Sequence, residues 1–152
     1  MRPLFAYGTL RRADRRRALL GAEYPAQPAT LAGWERVALP GGYLSLRQRR
    51  EGLVRGVVVA LDPAGWAIAD AWEEVPAYRR VEVLVTTAHG PARAQTYVCS
   101  GTDAPVVADD ERDALLGDAA LDAAIARFAP RAAALVISHP DWDGVIPLGP
   151  VS

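Results

Sequence analysis

Residues 53–76 have the sequence LVRGVVVALDPAGWAIADAWEEVP, in which a strand pattern runs directly into a helix pattern. Leu53–Leu61 predicts a strand, because its consecutive valines are β-branched and favour extended backbone. Asp62-Pro63 predicts a helix start, since Asp is a favoured N-cap and Pro a favoured first helical residue. We expect this helix to end near Glu74, because Pro76 pushes the residue before it out of the helical region.

Shorter segments around this unit are either apolar and aromatic or alternate between apolar and polar residues, and they predict further strands. These segments are Leu4–Tyr7, Thr30–Leu39, Tyr43–Leu46, Arg80–Thr87 and Arg93–Cys99. The last two are joined by His89-Gly90-Pro91 and predict a hairpin. Arg11–Leu20 predicts a short and largely solvated helix that ends at Gly21. Mostly strands with few helices indicate the α+β class.

The C-terminal third has a different character from the rest of the chain. Asp109–Phe128 is rich in Ala and Leu and predicts one or two helices, broken at Gly117-Asp118. Ala132–Ser138 fits either a strand or a continuation of the helix, and His139–Ser152 is typical of coil. A length of 152 residues suits a single domain over residues 1–152, with residues 100–152 as a C-terminal extension.

Composition excludes several classes of function. The net charge is −1 and no block of one sign dominates, which argues against nucleic-acid or membrane-surface partners. The arginines of residues 11–17 are therefore interpreted as a solvated face. No apolar segment reaches the ~18 residues of a membrane helix. The only cysteine, Cys99, cannot form an internal disulfide and is expected to be a small buried hydrophobe. We therefore expect a cytoplasmic protein. His89 and His139 stand far apart in sequence, so no zinc site is predicted.

The turn Tyr7-Gly8-Thr9-Leu10 is the first candidate site. Here a strand ends on an aromatic residue, and Gly8 permits a close approach that other residues forbid. Successive backbone N–H groups that open onto a helix form a concavity suited to a carboxylate or phosphate. The residues alone fit equally well a tight connection that needs a glycine and binds nothing.

The end of the second predicted helix is the other candidate. Asp70, Glu73 and Glu74 lie where the helix dipole disfavours anions by about 0.3–1 kcal/mol each. Asp70 and Glu73 are also i, i+3 neighbours that repel each other. Such surroundings raise the pKa of a carboxyl group towards neutrality, where it can move protons. The alternative is an acidic surface patch or ion pairs with Arg79 and Arg80.

Taken in order, these two segments resemble the signatures of one family. Phe5-Ala6-Tyr7-Gly8-Thr9-Leu10-Arg11 is similar to the opening signature of the gamma-glutamyl cyclotransferase-like proteins. Asp70-Ala71-Trp72-Glu73, followed by Pro76, Tyr78 and Arg80, is similar to their second signature. The strand around Gly56 and the segment Ala94–Val98 also fit in order and spacing. The resemblance covers about residues 2–99, so residues 1–99 form the expected family core.

The resemblance implies a fold and a reaction. The implied fold is a small mixed β-barrel with flanking helices. Active members cleave a gamma-glutamyl amide by attack of the substrate's own α-amine on the γ-carbonyl, which releases 5-oxoproline and a free amine. The reaction uses no metal or organic cofactor. The resemblance makes Glu73 the general base and acid, and it makes Tyr7, Gly8, Thr9 and Leu10 the loop that holds the glutamyl part.

Arg80, Tyr97 and Glu74 are expected to support this site. Glu74 stands where the family often has Gly, so two adjacent glutamates compete for the catalytic role. Trp72 stands where Tyr or Phe is usual. The amine half of the substrate is left open between a peptide, an amino sugar and a lysine side chain. Two other functions remain: a non-catalytic binder of a small acidic metabolite on the same fold, and a protein-interaction module that uses the C-terminal helices.

Overall fold

The computed structural model describes residues 1–40, 42–73, 78–99, 105–107 and 117–138, with side chains up to Arg131. The strands are β1 (Arg2–Ala6), β2 (Ala26–Ala38), β3 (Leu44–Leu61), β4 (Tyr78–Thr87), β5 (Gly90–Cys99) and β6 (Val106–Val107). The α-helices are α1 (Ala13–Leu20), α2 (Pro63–Trp72) and α3 (Asp118–Ser138). A 3-10 turn, Thr9–Arg11, links β1 to α1.

Within the described residues, five strands close into a barrel in the order β3-β1-β5-β4-β2, because β2 also pairs with β3. The β1–β5 pair is parallel, whereas β1–β3, β2–β3, β2–β4 and β4–β5 are antiparallel. The short β6 pairs with the outer end of β2. The predicted mixed barrel with flanking helices and a C-terminal helix is thus confirmed.

The β2–β3 hairpin is longer than predicted. The predicted pieces Tyr43–Leu46, except Tyr43 itself, and Leu53–Leu61 belong to one strand of 18 residues, which pairs with β2 from Ala26↔Val59 to Ala38↔Leu44. The charged residues between the two predicted pieces interrupt the apolar pattern, but cross-strand pairs such as Arg47–Glu35 at 2.9 Å hold them in the hairpin. β2 likewise begins before Thr30 and includes Pro28.

Helix α1 is not the solvated turn that its arginines predict. Arg15 and Arg16 are buried together with Leu19 and Leu20, because α3 packs against this helix. The Arg15 guanidinium reaches the carboxylate of Asp118 on α3 at 2.7 Å. The helix ends as expected at Gly21, whose φ of 70° is the left-handed conformation that glycine adopts easily.

Helix α2 begins as predicted. The Asp62 carboxylate accepts a hydrogen bond from the Gly65 N–H at 2.8 Å, which caps the helix. Trp66 and Ala69 on α2 are almost completely buried and belong to a core between the barrel and the helices. A second core, which includes Phe5 and Tyr7, otherwise consists of barrel-strand residues.

Helix α3 runs as one helix through Pro130, so Ala132–Ser138 continues the helix and is not a strand. Its side chains Leu121, Ile125 and Phe128 are buried against α1 and α2. The predicted break at Gly117-Asp118 is where this helix begins. Predictions for residues 109–116 and 139–152 lie outside the described residues. None of the described helices is both long enough and apolar enough to cross a membrane.

Candidate active site

A narrow pocket lies where β1 leaves the barrel. Its volume is about 20 Å³, which leaves room for one small polar group. The pocket is lined by residues from the first turn, the end of α2 and β5, namely Tyr7, Gly8, Thr9, Leu10, Glu73 and Tyr97. The structure therefore brings both sequence-predicted segments, far apart in the chain, to one cavity.

The turn after β1 is held by hydrogen bonds to its carbonyl groups. The Leu10 carbonyl accepts from Arg16 Nη1 at 3.0 Å, and the Tyr7 carbonyl accepts from Arg36 Nη1 at 3.3 Å. The Gly8 carbonyl accepts from the Arg11 N–H at 2.9 Å, which closes the 3-10 turn. Because the protein's own donors bind these carbonyl groups, the turn has a fixed shape before any ligand arrives.

Gly56 on β3 allows the close approach of the strand that precedes this turn. A Cβ at this position would lie 2.3 Å from the Ala6 carbonyl oxygen and 2.8 Å from Cζ of Phe5. Only a residue without a side chain fits there, so the close packing of β3 against β1 explains the glycine in the middle of β3.

Two tyrosine hydroxyls lie beside the pocket. The Tyr7 hydroxyl donates to the Tyr97 carbonyl at 2.6 Å, and the Tyr97 hydroxyl donates to the Asp70 carboxylate. Burial raises the pKa of Tyr7, and the negative charge of Glu73 raises it further. Burial also raises the pKa of Tyr97 and is the largest cause. The negative charge of Asp70 raises this pKa further, and the charge of Glu73 raises it by a smaller amount. Both phenols therefore stay protonated at neutral pH.

Glu73 is the C-cap residue of α2. Its N–H donates to the Ala69 carbonyl at 2.9 Å, which fixes its backbone at the end of the helix. The residue is half-buried and its side chain lines the narrow pocket. Its negative charge raises the pKa of Tyr7 and, to a smaller extent, that of Tyr97.

Asp70 has a different role from the one that its spacing predicts. Its carboxylate is completely buried and accepts from Arg80 Nε at 2.8 Å and from Arg80 Nη2 as well as from Tyr97. The Arg80 guanidinium in turn lies 4.2 Å from the ring centroid of Trp66. This bidentate pair offsets the expected repulsion between Asp70 and Glu73. Arg80 is joined to the pocket wall through Asp70 and Tyr97, and Glu74 lies outside the described residues.

Sequence reasoning missed several residues of the site. Tyr43 and Leu44 line the narrow pocket, and the Ser45 hydroxyl bonds to Tyr7 and accepts from the Cys99 N–H. Their position follows from the long β2–β3 hairpin, which the interrupted apolar pattern concealed. The pair Gly41-Gly42 before Tyr43 was the available signal, since glycines mark tight turns.

A second and wider cavity, the groove, opens on the other side of Glu73. Its volume is about 500 Å³, and Tyr43 and Glu73 line it together with Trp72, Phe128, Arg127 and Arg131. Trp72 packs edge-on against Tyr43 at 6.0 Å and against Phe128 at 5.4 Å between ring centroids. Cys99 also lines this groove. Its side chain is half-buried, so the prediction that it is buried was only partly correct.

Metal-binding side chains do not cluster in this region. Across the described ranges, no group of three or more His, Cys, Asp and Glu residues is placed to hold a metal ion. The narrow pocket instead combines the carboxylate residue Glu73, three tyrosines and the backbone of a turn.

The sequence profile of the family described as "Gamma-glutamyl cyclotransferase, AIG2-like" matches residues 4–117. The chain belongs to this family. The match extends past Cys99, where the resemblance seen in the sequence stops, and ends just before α3. Comparison with curated proteins gives no match.

Solved structures of the gamma-glutamyl cyclotransferase, AIG2-like fold are similar to this chain. One described as gamma-glutamyl cyclotransferase has a TM-score of 0.59 at 16% identity and covers 99% of this chain and 92% of its own. An AIG2-like protein from Mus musculus has a TM-score of 0.60 at 16% identity, with coverages of 73% and 88%. A protein from Arabidopsis thaliana has a TM-score of 0.58 at 22% identity, with coverages of 90% and 82%. At these identities the likeness shows the fold.

Proposed function

We propose that this protein is a gamma-glutamyl cyclotransferase that releases 5-oxoproline and a free amine from a gamma-glutamyl amide. The observation that carries the proposal is the position of Glu73, which shares one narrow pocket with the Tyr7–Leu10 turn and also borders the wide groove. A substrate can therefore place its small polar end in the pocket and its amine half in the groove, with the bond to be broken beside a carboxylate.

The turn would hold the glutamyl part. A substrate α-carboxylate is small enough for the narrow pocket and is bound well by backbone N–H groups of a turn. The rigid carbonyl side of Tyr7–Leu10 keeps such donors in place before binding, which lowers the entropy lost on binding. The protonated phenols of Tyr7 and Tyr97 make this end of the pocket polar without adding negative charge.

Glu73 would carry the proton. The neutral form of the substrate's α-amine attacks the γ-carbonyl carbon, and Glu73 accepts one proton from the attacking nitrogen as the bond forms. The new C–N bond closes the five-membered ring. Glu73 then donates its proton to the leaving nitrogen as the original amide C–N bond breaks. Protons balance without an external oxidant or water. Because the α-amine and the γ-carbonyl belong to one molecule, holding them in the reactive geometry lowers a large part of the activation free energy.

Arg80 belongs to the structural network behind the pocket. The Arg80 guanidinium binds Asp70 in bidentate fashion and stacks on Trp66. Glu73 lines both cavities. A non-catalytic binder of an acidic metabolite would use the same turn, but it would not require Glu73 for a reaction.

The test is 5-oxoproline release from a panel of gamma-glutamyl amides by wild type and by Glu73→Gln. We expect the variant to lose about 10²–10⁴-fold in kcat, the usual contribution of a general acid–base group. Glu82→Gln is the matched control, because Glu82 is an exposed carboxylate on β4, paired with Arg93 away from the pocket. Turnover by Glu73→Gln equal to that of Glu82→Gln would remove Glu73 from the mechanism. A wild type that binds 5-oxoproline but turns over no substrate would favour the binding protein.

A further inference from the structure

The outer wall of the groove comes from α3, which begins after residue 117, where the family match ends. Phe128 of α3 packs against Trp72 of α2. Trp72 is the residue before Glu73 in the sequence, and all three residues line the groove. The inner wall with Glu73 therefore belongs to the family core, whereas the outer wall belongs to this chain's C-terminal extension.

The charges of α3 are sorted around its axis. Asp118 and Asp122 lie on the side of α1, where Arg15 reaches both carboxylates at 2.7 Å and 3.6 Å. Arg127 lies nine residues after Asp118, and Arg131 lies nine residues after Asp122. Nine residues are two and a half turns of an α-helix, so the two arginines lie on the opposite side of α3 from the two aspartates. These two arginines are exposed and line the groove.

Arg127 and Arg131 can act together on one ligand. They are i, i+4 neighbours, so their side chains leave the same side of α3 one above the other. The Arg131 guanidinium lies 6.0 Å from the ring centroid of Phe128, at the edge of the aromatic surface that Trp72 and Phe128 form. The groove thus offers an apolar, aromatic floor next to Glu73 and a cationic rim farther out.

We propose that Arg127 and Arg131 are specificity-determining residues, which select substrates whose amine half joins an aromatic or bulky apolar body to a carboxylate. This inference rests on the proposed function, since it assigns the leaving half of the substrate to the groove. The body packs on Trp72 and Phe128, and the carboxylate forms charge-assisted hydrogen bonds with the guanidinium groups. Amine halves that carry further positive charge are repelled by the same rim.

Two substrates that differ in one group test the proposal. Gamma-glutamyl-phenylalanine and gamma-glutamyl-phenethylamide share the aromatic body, and only the first has the carboxylate. We expect wild type to prefer the first by about tenfold in kcat/KM. Arg127→Gln and Arg131→Gln should each reduce this preference, the double variant should abolish it, and Arg→Lys replacements should retain part of it. Arg93→Gln, a change of an exposed arginine on β5, is the matched control. Equal kcat/KM for the two substrates in wild type would overturn the proposal and leave the cyclotransferase reaction intact.

Cys99 provides a readout that does not depend on turnover. As the chain's one cysteine and a residue of the groove lining, it can be alkylated with a maleimide and the rate followed by mass spectrometry. We expect N-acetyl-phenylalanine to slow alkylation and N-acetyl-phenethylamine to do so at least several-fold less well. The difference should vanish in the double arginine variant. Protection without 5-oxoproline release would contradict the reaction but support the subsite, and equal protection by both probes would overturn the subsite.

Discussion

The narrow pocket and the groove share Glu73 but are formed by different elements of the fold. The pocket is formed by barrel strands and the end of α2, and its polar groups are fixed by buried hydrogen bonds. The groove has twenty-five times the volume, about 500 Å³ against about 20 Å³, and its outer wall is a helix with exposed cations. Under the proposed function, the pocket suits the glutamyl part of the substrate and the groove suits the amine half.

The largest expected effect comes from breaking the buried network behind the pocket. Asp70→Asn removes the bidentate carboxylate partner of Arg80, whose side chain is 12% exposed, while Asp70 itself is fully buried. We expect the free energy of unfolding to fall by about 3–5 kcal/mol, because removing one member of a largely buried ion pair is costly. Urea unfolding measures this directly. Glu82→Gln, which breaks an exposed pair with Arg93, should cost at most about 1 kcal/mol. Equal stability of the two variants would show that the Asp70 pair is not what supports the pocket.

A smaller effect is expected where β3 touches the turn. Gly56→Ala places a Cβ 2.3 Å from the Ala6 carbonyl oxygen, so β1 must shift. We expect a loss of about 1–3 kcal/mol in the free energy of unfolding, as for other overpacked sites. Because the shift moves the turn, KM for every gamma-glutamyl substrate should rise, whatever its amine half.

The control for this change is Gly117→Ala, where a Cβ would meet nothing within 4 Å. We expect its cost to stay below about 1 kcal/mol, since it alters only the residue before α3. A Gly56→Ala variant that unfolds at the same urea concentration as Gly117→Ala would contradict the close approach of β3 and β1.

The smallest effect concerns the attachment of α3 and hence the groove alone. Its hydrogen bond and ion pair with Arg15 lower the pKa of Asp118 from 3.8. A carboxyl group with a lowered folded pKa stabilises the protein above its unfolded pKa, and this stabilisation disappears as the pH falls through the folded pKa. Asp118→Asn should therefore be less stable than wild type at pH 7, and the difference should shrink as the pH falls below 3.8. A difference that stays unchanged as the pH falls would show that the charge of Asp118 is not involved.

Sequence patterns predicted the elements that local rules determine. The N-cap at Asp62, the glycine end of α1 and the β4–β5 hairpin depend on neighbours in the chain, and all three are present. The order and spacing of two motifs then identified the family correctly. Glu73 and the Tyr7–Leu10 turn do line one cavity. Their chemical roles remain predictions.

The elements that were missed depend on distant partners. Arg15 looks solvated in sequence, and its burial is explained by ion pairs with Asp118 and Asp122, both more than a hundred residues away. For Asp70 the sequence left an ion pair with Arg80 open as an alternative, and the structure contains that pair; the hydrogen bond from Tyr97 was not foreseen. The continuous β3 needs β2 along its whole length, because its charged middle has no strand pattern of its own.

The separation of charges on α3 has a consequence for how proteins of this family could diversify. The acidic side of α3 holds the helix to α1, and the basic side borders the groove on the opposite side of the helix axis. Substitutions on the basic side leave the contacts with α1 in place. Under the proposed function, evolution or protein engineering can therefore change the accepted amine half through α3 alone, without redesigning the narrow pocket.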